Sequence, residues 1–210
     1  MNTRQIRRAL SAAILAVALA TTTAACSSDA STDSSGATTT TGQTASAELP
    51  DDVNDADVAF VQGMIPHHQQ AIQMSEMVIA NGDDPTVIAL AEQIKAAQGP
   101  EIDQMNTWLD DWGVEPTGSN GTGDMGGMDG MDGTNGMMSG DEMDTMSQTI
   151  GTDLDRMFLE MMTRHHQGAI QMAEVELDEG SNTDVIALAQ GIADGQQAEI
   201  EQMQAMIEDT

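Results

Sequence analysis

Aromatic residues and positive charges are scarce in this 210-residue chain. It has no Tyr, two Phe and two Trp, and its six Lys and Arg face 35 Asp and Glu, giving a formal net charge of -29. Sandwich and barrel folds draw on β-branched and aromatic side chains, so the composition disfavours them. A chain this acidic is repelled by phosphate backbones, which excludes a nucleic-acid partner. The composition favours a helical core of Ala, Ile, Leu and Met.

The single cysteine, Cys26, follows a segment typical of secretory signals. Three arginines lie among the first eight residues, and residues 9–20 form an apolar run too short to cross a bilayer. Thr23-Ala24-Ala25-Cys26 resembles a bacterial lipobox. We therefore predict a signal peptide over 1–25 and a lipid-anchored, extracytoplasmic protein. The alternative is ordinary cleavage, which would leave the protein secreted. Residues 26–50 are rich in Ser, Thr and Ala and predict a flexible tether.

The remainder of the chain contains one segment twice. Residues 57–109 align with 155–207 at a constant offset of 98, without gaps, and 23 of the 53 paired positions are identical. Each copy predicts a helical hairpin, over 51–112 and 149–210, joined by a linker at 113–148. A single hairpin exposes its apolar face, so the two are expected to pair. The predicted fold is all-α, a four-helix bundle made of two duplicated hairpins.

Local signals place the helix ends in the first copy. Apolar residues recur at three- and four-residue steps from about 55 to 80, and Gly82 is a stop signal. Asp84 is a predicted N-cap with Pro85 in the first helical position. Asn182 and Thr183 occupy the corresponding start in the second copy.

All four histidines lie in two equivalent pairs, His67-His68 and His165-His166. At 100° per residue both rings of a pair can approach the interior, near methionines on adjacent turns. Imidazole binds Cu(I), Cu(II) or Zn, and thioethers select Cu(I). The alternative is that these side chains only fill the core. The predicted metal ligands are Met64, His67, His68, Met74, Met162, His165, His166 and Met172.

Further ligands come from the second helix of each hairpin. A fold-back near residue 83 brings the helix around residue 99 level with His67, so Gln98 and Glu101 face the histidines, as Gln196 and Glu199 do in the second copy. Glu101, Met105, Glu199 and Met203 are possible additional ligands. A small helix rotation would instead leave both glutamates at the surface.

The segment between the copies alternates Gly, Asp, Asn and Met. From 118 to 146 we expect neither a core contribution nor an ordered helix. Thioethers at short intervals can gather Cu(I) or Ag(I) without forming disulfides, and the alternative is a spacer with no function. A weaker loop site is therefore predicted at Met125, Met128, Met131, Met137 and Met138.

Residues 64–74, MIPHHQQAIQM, and 161–172, MMTRHHQGAIQM, resemble the signature of the family called domain of unknown function 305. The resemblance spans about residues 52–209. It implies a ferritin-like four-helix bundle, an extracytoplasmic location and copper binding by His and Met with a role in copper resistance. It points to the same eight His and Met residues.

The sequence also allows three alternative functions to be weighed against copper binding. An iron-oxidising ferritin-like protein needs inward Glu-x-x-His pairs, and Met64 and Met162 stand where those glutamates would be. A hydrolase lacks a recognisable nucleophile motif. A metal-free lipoprotein that binds an unknown protein partner would need an exposed apolar groove. We predict a protein without catalytic turnover that sequesters or transfers copper, preferably Cu(I), with Ag(I), Cu(II) or Zn as other cargo.

Overall fold

The computed structural model describes residues 49–116 and 135–208, and the predicted signal peptide, Cys26 and the tether up to residue 48 lie outside these ranges. Five helices and no strand are present in the described part: α1 (Asp55–Asn81), α2 (Pro85–Trp112), α3 (Gly140–Gln148), α4 (Gly151–Glu179) and α5 (Thr183–Glu208). Helix α1 packs on α2, α4 on α5, and α1 on α4. The predicted all-α four-helix bundle is confirmed, with α3 as an addition. None of the described helices is long and apolar enough to span a membrane.

The helix ends follow the sequence signals. Asn54 caps α1 by accepting from the backbone N–H groups of Ala56 and Asp57. Asp84 caps α2 and Pro85 is its first residue, because proline lacks the N–H that this position cannot use. Helix α1 ends at Asn81, directly before Gly82.

Two aspartates join the hairpins, because each one caps the turn of the opposite hairpin. Asp57 on α1 accepts from the N–H groups of Ser181 and Asn182 at the start of α5, at 3.2 and 3.0 Å. Asp155, its repeat counterpart on α4, accepts from the N–H groups of Asp83 and Asp84 at 3.0 and 2.8 Å. These bonds satisfy amides that a helix start leaves without partners. The two hairpins are therefore fixed in register by a reciprocal polar contact.

One of these caps carries an extra buried acid, Glu176, where the repeat has Val78. Burial, together with the hydrogen bond and negative charge of Asp57, raises the pKa of Glu176 to about 8. Burial by itself would also raise the pKa of Asp57. Hydrogen bonds from the backbone of Asn54 and Asn182 outweigh it, and the pKa of Asp57 is lowered. The pair therefore shares a proton at neutral pH, with Glu176 as the protonated member.

This shared proton predicts a loss of stability in mild alkali. Because the folded pKa of Glu176 lies above its ordinary 4.5, the folded state holds the proton more tightly, and stability falls as pH rises from about 4.5 to 8. We expect Glu176→Gln to remove this decline and to be more stable than the wild type at pH 9 by about 1–3 kcal/mol. Urea unfolding at pH 5.5 and 9 measures it, with the exposed Glu174→Gln as control. Equal pH dependence in wild type and Glu176→Gln would refute the shared proton.

The linker prediction was wrong at its C-terminal end. Helix α3 lies within the segment expected to hold no ordered helix, and Met146 is fully buried in the core. Ser139 and Glu142 form a capping box that starts α3, since each side chain binds the other's backbone N–H. The apolar side chains that follow cover the bundle. The linker therefore contributes packing as well as length.

Candidate metal site

The four histidines form one buried layer at the middle of the bundle. His67 and His68 lie half-way along α1, His165 and His166 lie half-way along α4, and all four are 0% exposed. The helix pair α1–α4 brings the rings of His67 and His165 to a centroid distance of 3.7 Å, tilted by 37°. The rings of His165 and His166 are 6.4 Å apart. The duplicated motifs thus meet across the interface between the hairpins.

Two apolar clusters enclose this layer from opposite ends. One contains Met74, Phe158 and Met162, and the other contains Phe60, Met64 and Met105. Repeat counterparts such as Met64 and Met162 lie in opposite clusters, as expected for a duplication folded about an approximate twofold axis. Among the predicted sulfur ligands, Met172 is half-buried and five are fully buried: Met64, Met74, Met105, Met162 and Met203.

The methionines occupy the turns next to the histidines. Met64 precedes His67 by three residues and His68 by four, and Met162 has the same spacing to His165 and His166. Side chains at these separations are neighbours on a helix surface, about 5–6 Å apart at Cβ. Within the described residues, no group of three His, Cys, Asp or Glu side chains is arranged to hold an ion. Their spacing places the thioethers of Met64 and Met162 beside the imidazoles of the layer.

Hydrogen bonds assign the tautomers of three rings. The Nε2 of His67 donates to the backbone carbonyl of Asn135 at 2.8 Å, because a carbonyl can only accept. The Nε2 atoms of His68 and His166 lie 2.8 Å from the carboxylates of Glu101 and Glu199. With the proton on Nε2, each Nδ1 carries a free lone pair.

Those lone pairs are buried without partners. In the described structure Nδ1 of His67, His68 and His166 forms no hydrogen bond, and neither nitrogen of His165 does. Each buried polar atom left unpaired costs about 1–3 kcal/mol. An imidazole that donates one N–H to a carboxylate or carbonyl while its other nitrogen is bare is the usual arrangement of a metal ligand. The residues present therefore fit a soft or borderline cation.

Burial keeps two of these rings neutral. It lowers the pKa of His67 to about 4, against the hydrogen bond to Asn135, which acts to raise it. Burial also lowers the pKa of His165, and the neighbouring His67 and His166 add to the shift. A neutral imidazole offers its lone pair without a competing proton. These two rings therefore remain available as ligands at neutral and mildly acidic pH.

Glu101 and Glu199 lie against the histidines. Their side chains are 27% and 11% exposed, so both stand at the boundary between the layer and solvent. A carboxylate in this position orients the imidazole and fixes its tautomer, and it need not bind the ion itself. The sequence had left open whether these glutamates faced the surface, and the structure places each against a buried ring.

Residues 135–139, which we call the strap, close one side of the layer. The side-chain amide of Gln70 donates to the carbonyl of Met138 at 2.9 Å and accepts from its N–H at 2.7 Å. Gly136 adopts a φ of +70°, and the strap packs so closely on Gly168 that a Cβ there would collide with the Asn135 carbonyl oxygen. The strap thus holds the acceptor for His67 in place.

The predicted loop site is divided by this arrangement. Met138 is 5% exposed and its sulfur accepts from the Arg164 guanidinium at 2.8 Å, so it belongs to the core and not to a solvated loop. Met137 is 40% exposed. Met125, Met128 and Met131 lie outside the described residues.

Sequence reasoning placed Gln98 and Gln196, a repeat-related pair from α2 and α5, at the histidine layer but assigned them no role. They are 2% and 4% exposed, and none of their amide oxygen and nitrogen atoms has a hydrogen-bond partner in the described structure. Their identity in both copies, at positions that otherwise repeat apolar residues, was the available signal.

The fold and this layer define a class of protein, an acidic four-helix bundle with a buried His and Met interior. The model of the family Domain of unknown function (DUF305) matches residues 57–207. The chain belongs to this family.

Solved structures agree with the family assignment. A DUF305 fragment from Deinococcus radiodurans has a TM-score of 0.66 at 30% identity, covering 75% of this chain and 99% of that one. A DUF305 protein from Streptomyces coelicolor, described as a candidate secreted protein, has a TM-score of 0.65 at 30% identity, covering 73% and 91%. CopM in its Cu(I)-bound form has a TM-score of 0.60 at 29% identity, covering 73% and 96%, and CopM is also solved with Cu(II) and with Ag.

A curated relative matches a shorter stretch. The uncharacterized protein L153 of Acanthamoeba polyphaga mimivirus is 42% identical over 55 residues. The chain spans 36% of that protein's length. This match covers about one hairpin and adds no function.

Proposed function

We propose that this protein binds Cu(I) in the interior of its bundle and sequesters it or hands it on, without catalytic turnover. The observation that carries the proposal is the set of buried imidazole nitrogens without partners, on turns next to buried thioethers. This donor set matches the preference of Cu(I) for sulfur and nitrogen over oxygen. The likeness to CopM, which is solved with Cu(I), Cu(II) and Ag, supports the same cargo.

In this proposal the ligands are His67, His68, His165 and His166 with Met64, Met74, Met162 and Met172. Met105 and Met203, on α2 and α5, are additional thioethers that reach the same interior. Glu101 and Glu199 orient His68 and His166. Met125, Met128, Met131 and Met137 form a weaker collector in the linker, and Met138 is no longer part of it because it packs in the core.

Titration with different ions tests the function directly. We expect native mass spectrometry to find Cu(I) and Ag(I) retained by the folded protein and Zn(II) bound more weakly, because thioethers favour soft ions. Bound Cu(I) should also raise the melting temperature, since 100-fold excess over the dissociation constant adds about 2.7 kcal/mol. A protein that retains no Cu(I) and shows no thermal shift would refute the proposal.

A length-preserving variant separates the bundle from the linker. We call the protein with Met125, Met128, Met131 and Met137 replaced by Ser the loop-substituted protein. It should lose weakly bound Cu(I) but keep the tightest sites. It is also the background in which bundle sites are best measured.

We further propose that the protein is anchored on the outer face of a bacterial membrane by a lipid on Cys26. The lipobox-like motif and the Ser- and Thr-rich segment after it support this location. Expressed in bacteria, the full chain should fractionate with the membrane and Cys26→Ser should not. Identical fractionation of the two would contradict lipid anchoring and leave copper binding untouched.

A further inference from the structure

One side of the histidine layer faces a cavity rather than packed side chains. Helices α2 and α5 line a cavity of about 50 Å³ with Gln98, Glu101, Gln196, Glu199, Gly191 and Gly195. We call it the α2–α5 chamber. Its four polar residues form two repeat-related pairs, and Gly191 and Gly195 are exposed to solvent. The chamber therefore connects solvent to the carboxylates that hold His68 and His166.

Several polar atoms that line the chamber have no hydrogen-bond partner in the described structure. Gln98 and Gln196 are more than nine-tenths buried, and all their amide atoms are unpaired. Glu199 holds His166 through Oε2, and its Oε1 has only a 3.4 Å contact from Gln93. A cavity of this size, lined by these polar groups together with the apolar Ala97 and Ile192, has room for a few water molecules. Amide and carboxylate oxygens that line such a space can replace part of a cation's hydration shell.

In the described structure, the strap and the two apolar clusters cover other sides of the histidine layer. The strap covers one side through its bonds to Gln70 and His67 and its close fit on Gly168. The two ends of the layer are apolar clusters, in which an ion would be costly because nothing replaces its water. The chamber is a polar approach toward the buried imidazoles, because Glu101 and Glu199 in its lining contact His68 and His166.

We propose that the α2–α5 chamber is the passage by which a metal cation, still partly hydrated, enters and leaves the histidine layer. The carboxylates of Glu101 and Glu199 attract the cation, the amides of Gln98 and Gln196 coordinate it in transit, and the imidazole Nδ1 atoms receive it. The proposal rests on the copper-binding function proposed above. It assigns the two glutamines a role in the rate of uptake, not in the final affinity.

The two exposed glycines allow the passage to be blocked. A Cβ added at Gly191 or Gly195 meets no atom within 4 Å, so larger side chains can be introduced there without a core clash. In the loop-substituted protein we expect Gly191→Leu with Gly195→Leu to slow Cu(I) uptake by about tenfold or more. Because a barrier on the route leaves both end states unchanged, release should slow by the same factor and the dissociation constant should be preserved.

Stopped-flow transfer of Cu(I) from its bicinchoninate complex measures uptake, and competition with the same chelator measures affinity. The control is Gln190→Leu with Gln197→Leu, which places the same two leucine side chains at exposed positions of α5 outside the chamber. Gly195→Lys is an independent variant, in which a positive charge at the opening should slow uptake although the fold is little changed.

The outcomes separate the two proposals. Slower uptake and release at unchanged affinity, in the chamber variants only, supports the passage. Wild-type rates in the double Leu and Lys variants, or a loss of affinity that matches the loss of rate, would overturn it. A loop-substituted protein that takes up no Cu(I) before any chamber change would instead refute the copper-binding function.

Discussion

Replacing His67, His68, His165 and His166 with Ala in the loop-substituted protein should abolish tight Cu(I) binding. The reason is that these rings supply the buried nitrogen lone pairs: on Nδ1 of His67, His68 and His166, and on one of the two unpaired nitrogens of His165. A variant that keeps only one histidine pair should bind Cu(I) more weakly than the protein with both pairs, since the two pairs meet in one layer. Chelator competition measures the affinity, and far-ultraviolet circular dichroism checks the helices.

The matched control uses the residues next in sequence. Gln69 and Gln167 follow the histidine pairs on the same helices but are exposed, so changing both to Ala should leave binding intact. If the four-alanine variant does not fold, Glu101→Gln with Glu199→Gln carries the test, because weaker orientation of His68 and His166 should lower affinity by about 10–100-fold. A folded variant without the four rings that binds Cu(I) as tightly as the wild type would contradict the assignment.

Changing Met64 and Met162 to Leu should weaken Cu(I) and Ag(I) binding by about tenfold or more, equivalent to about 1.4 kcal/mol. Both side chains are fully buried, and Met to Leu conserves volume, so the free energy of unfolding should change by less than about 1.5 kcal/mol. Zn(II) binding should change less, because Zn depends less on thioethers. Isothermal titration with Ag(I) and Zn(II) measures the contrast.

Met146→Leu is the control for this pair. Met146 is equally buried but lies on α3, away from the turns that carry the histidines. Its replacement should leave both affinities unchanged. Equal losses for Ag(I) and Zn(II) in the Met64 and Met162 variant would show that altered packing of the neighbouring side chains, not the loss of the sulfur atoms, caused the effect.

The helix ends and the register of the antiparallel helices could be predicted from the sequence. The helix ends at Asn81 and at Asp84–Pro85 are determined by local chemistry, and the structure has them as expected. The facing of Glu101 and His68 follows from hairpin geometry, since a tight turn near residue 83 fixes which residues of antiparallel helices stand level. Duplication then transfers the same contact to Glu199 and His166.

The features that escaped prediction depend on partners distant in sequence. Asp57 and Asp155 cap turns in the opposite hairpin, and the raised pKa of Glu176 depends on Asp57 across that contact. The start of α3 has a local signal, the capping box of Ser139 and Glu142, which the prediction from Gly-rich composition did not take into account. Met138 was predicted to be exposed because composition does not show that the strap packs on the bundle.

The asymmetry of the strap also lies beyond the repeat pattern. Gln70 and Gly168 are repeat counterparts, yet one binds the strap by hydrogen bonds and the other by having no side chain. A duplicated bundle alone would leave the α1 half and the α4 half of the histidine layer equivalent. The strap makes these two halves different, because Gln70 on α1 binds it by hydrogen bonds and Gly168 on α4 packs against it.

X-ray absorption at the copper edge of the loop-substituted protein, loaded with one equivalent of Cu(I), tests the central claim most directly. With the linker methionines Met125, Met128, Met131 and Met137 removed, sulfur scattering from copper should come from the bundle interior. We expect both nitrogen and sulfur neighbours, with the sulfur contribution reduced when Met64 and Met162 are Leu. A spectrum with only nitrogen and oxygen neighbours would contradict a site built from imidazoles and thioethers.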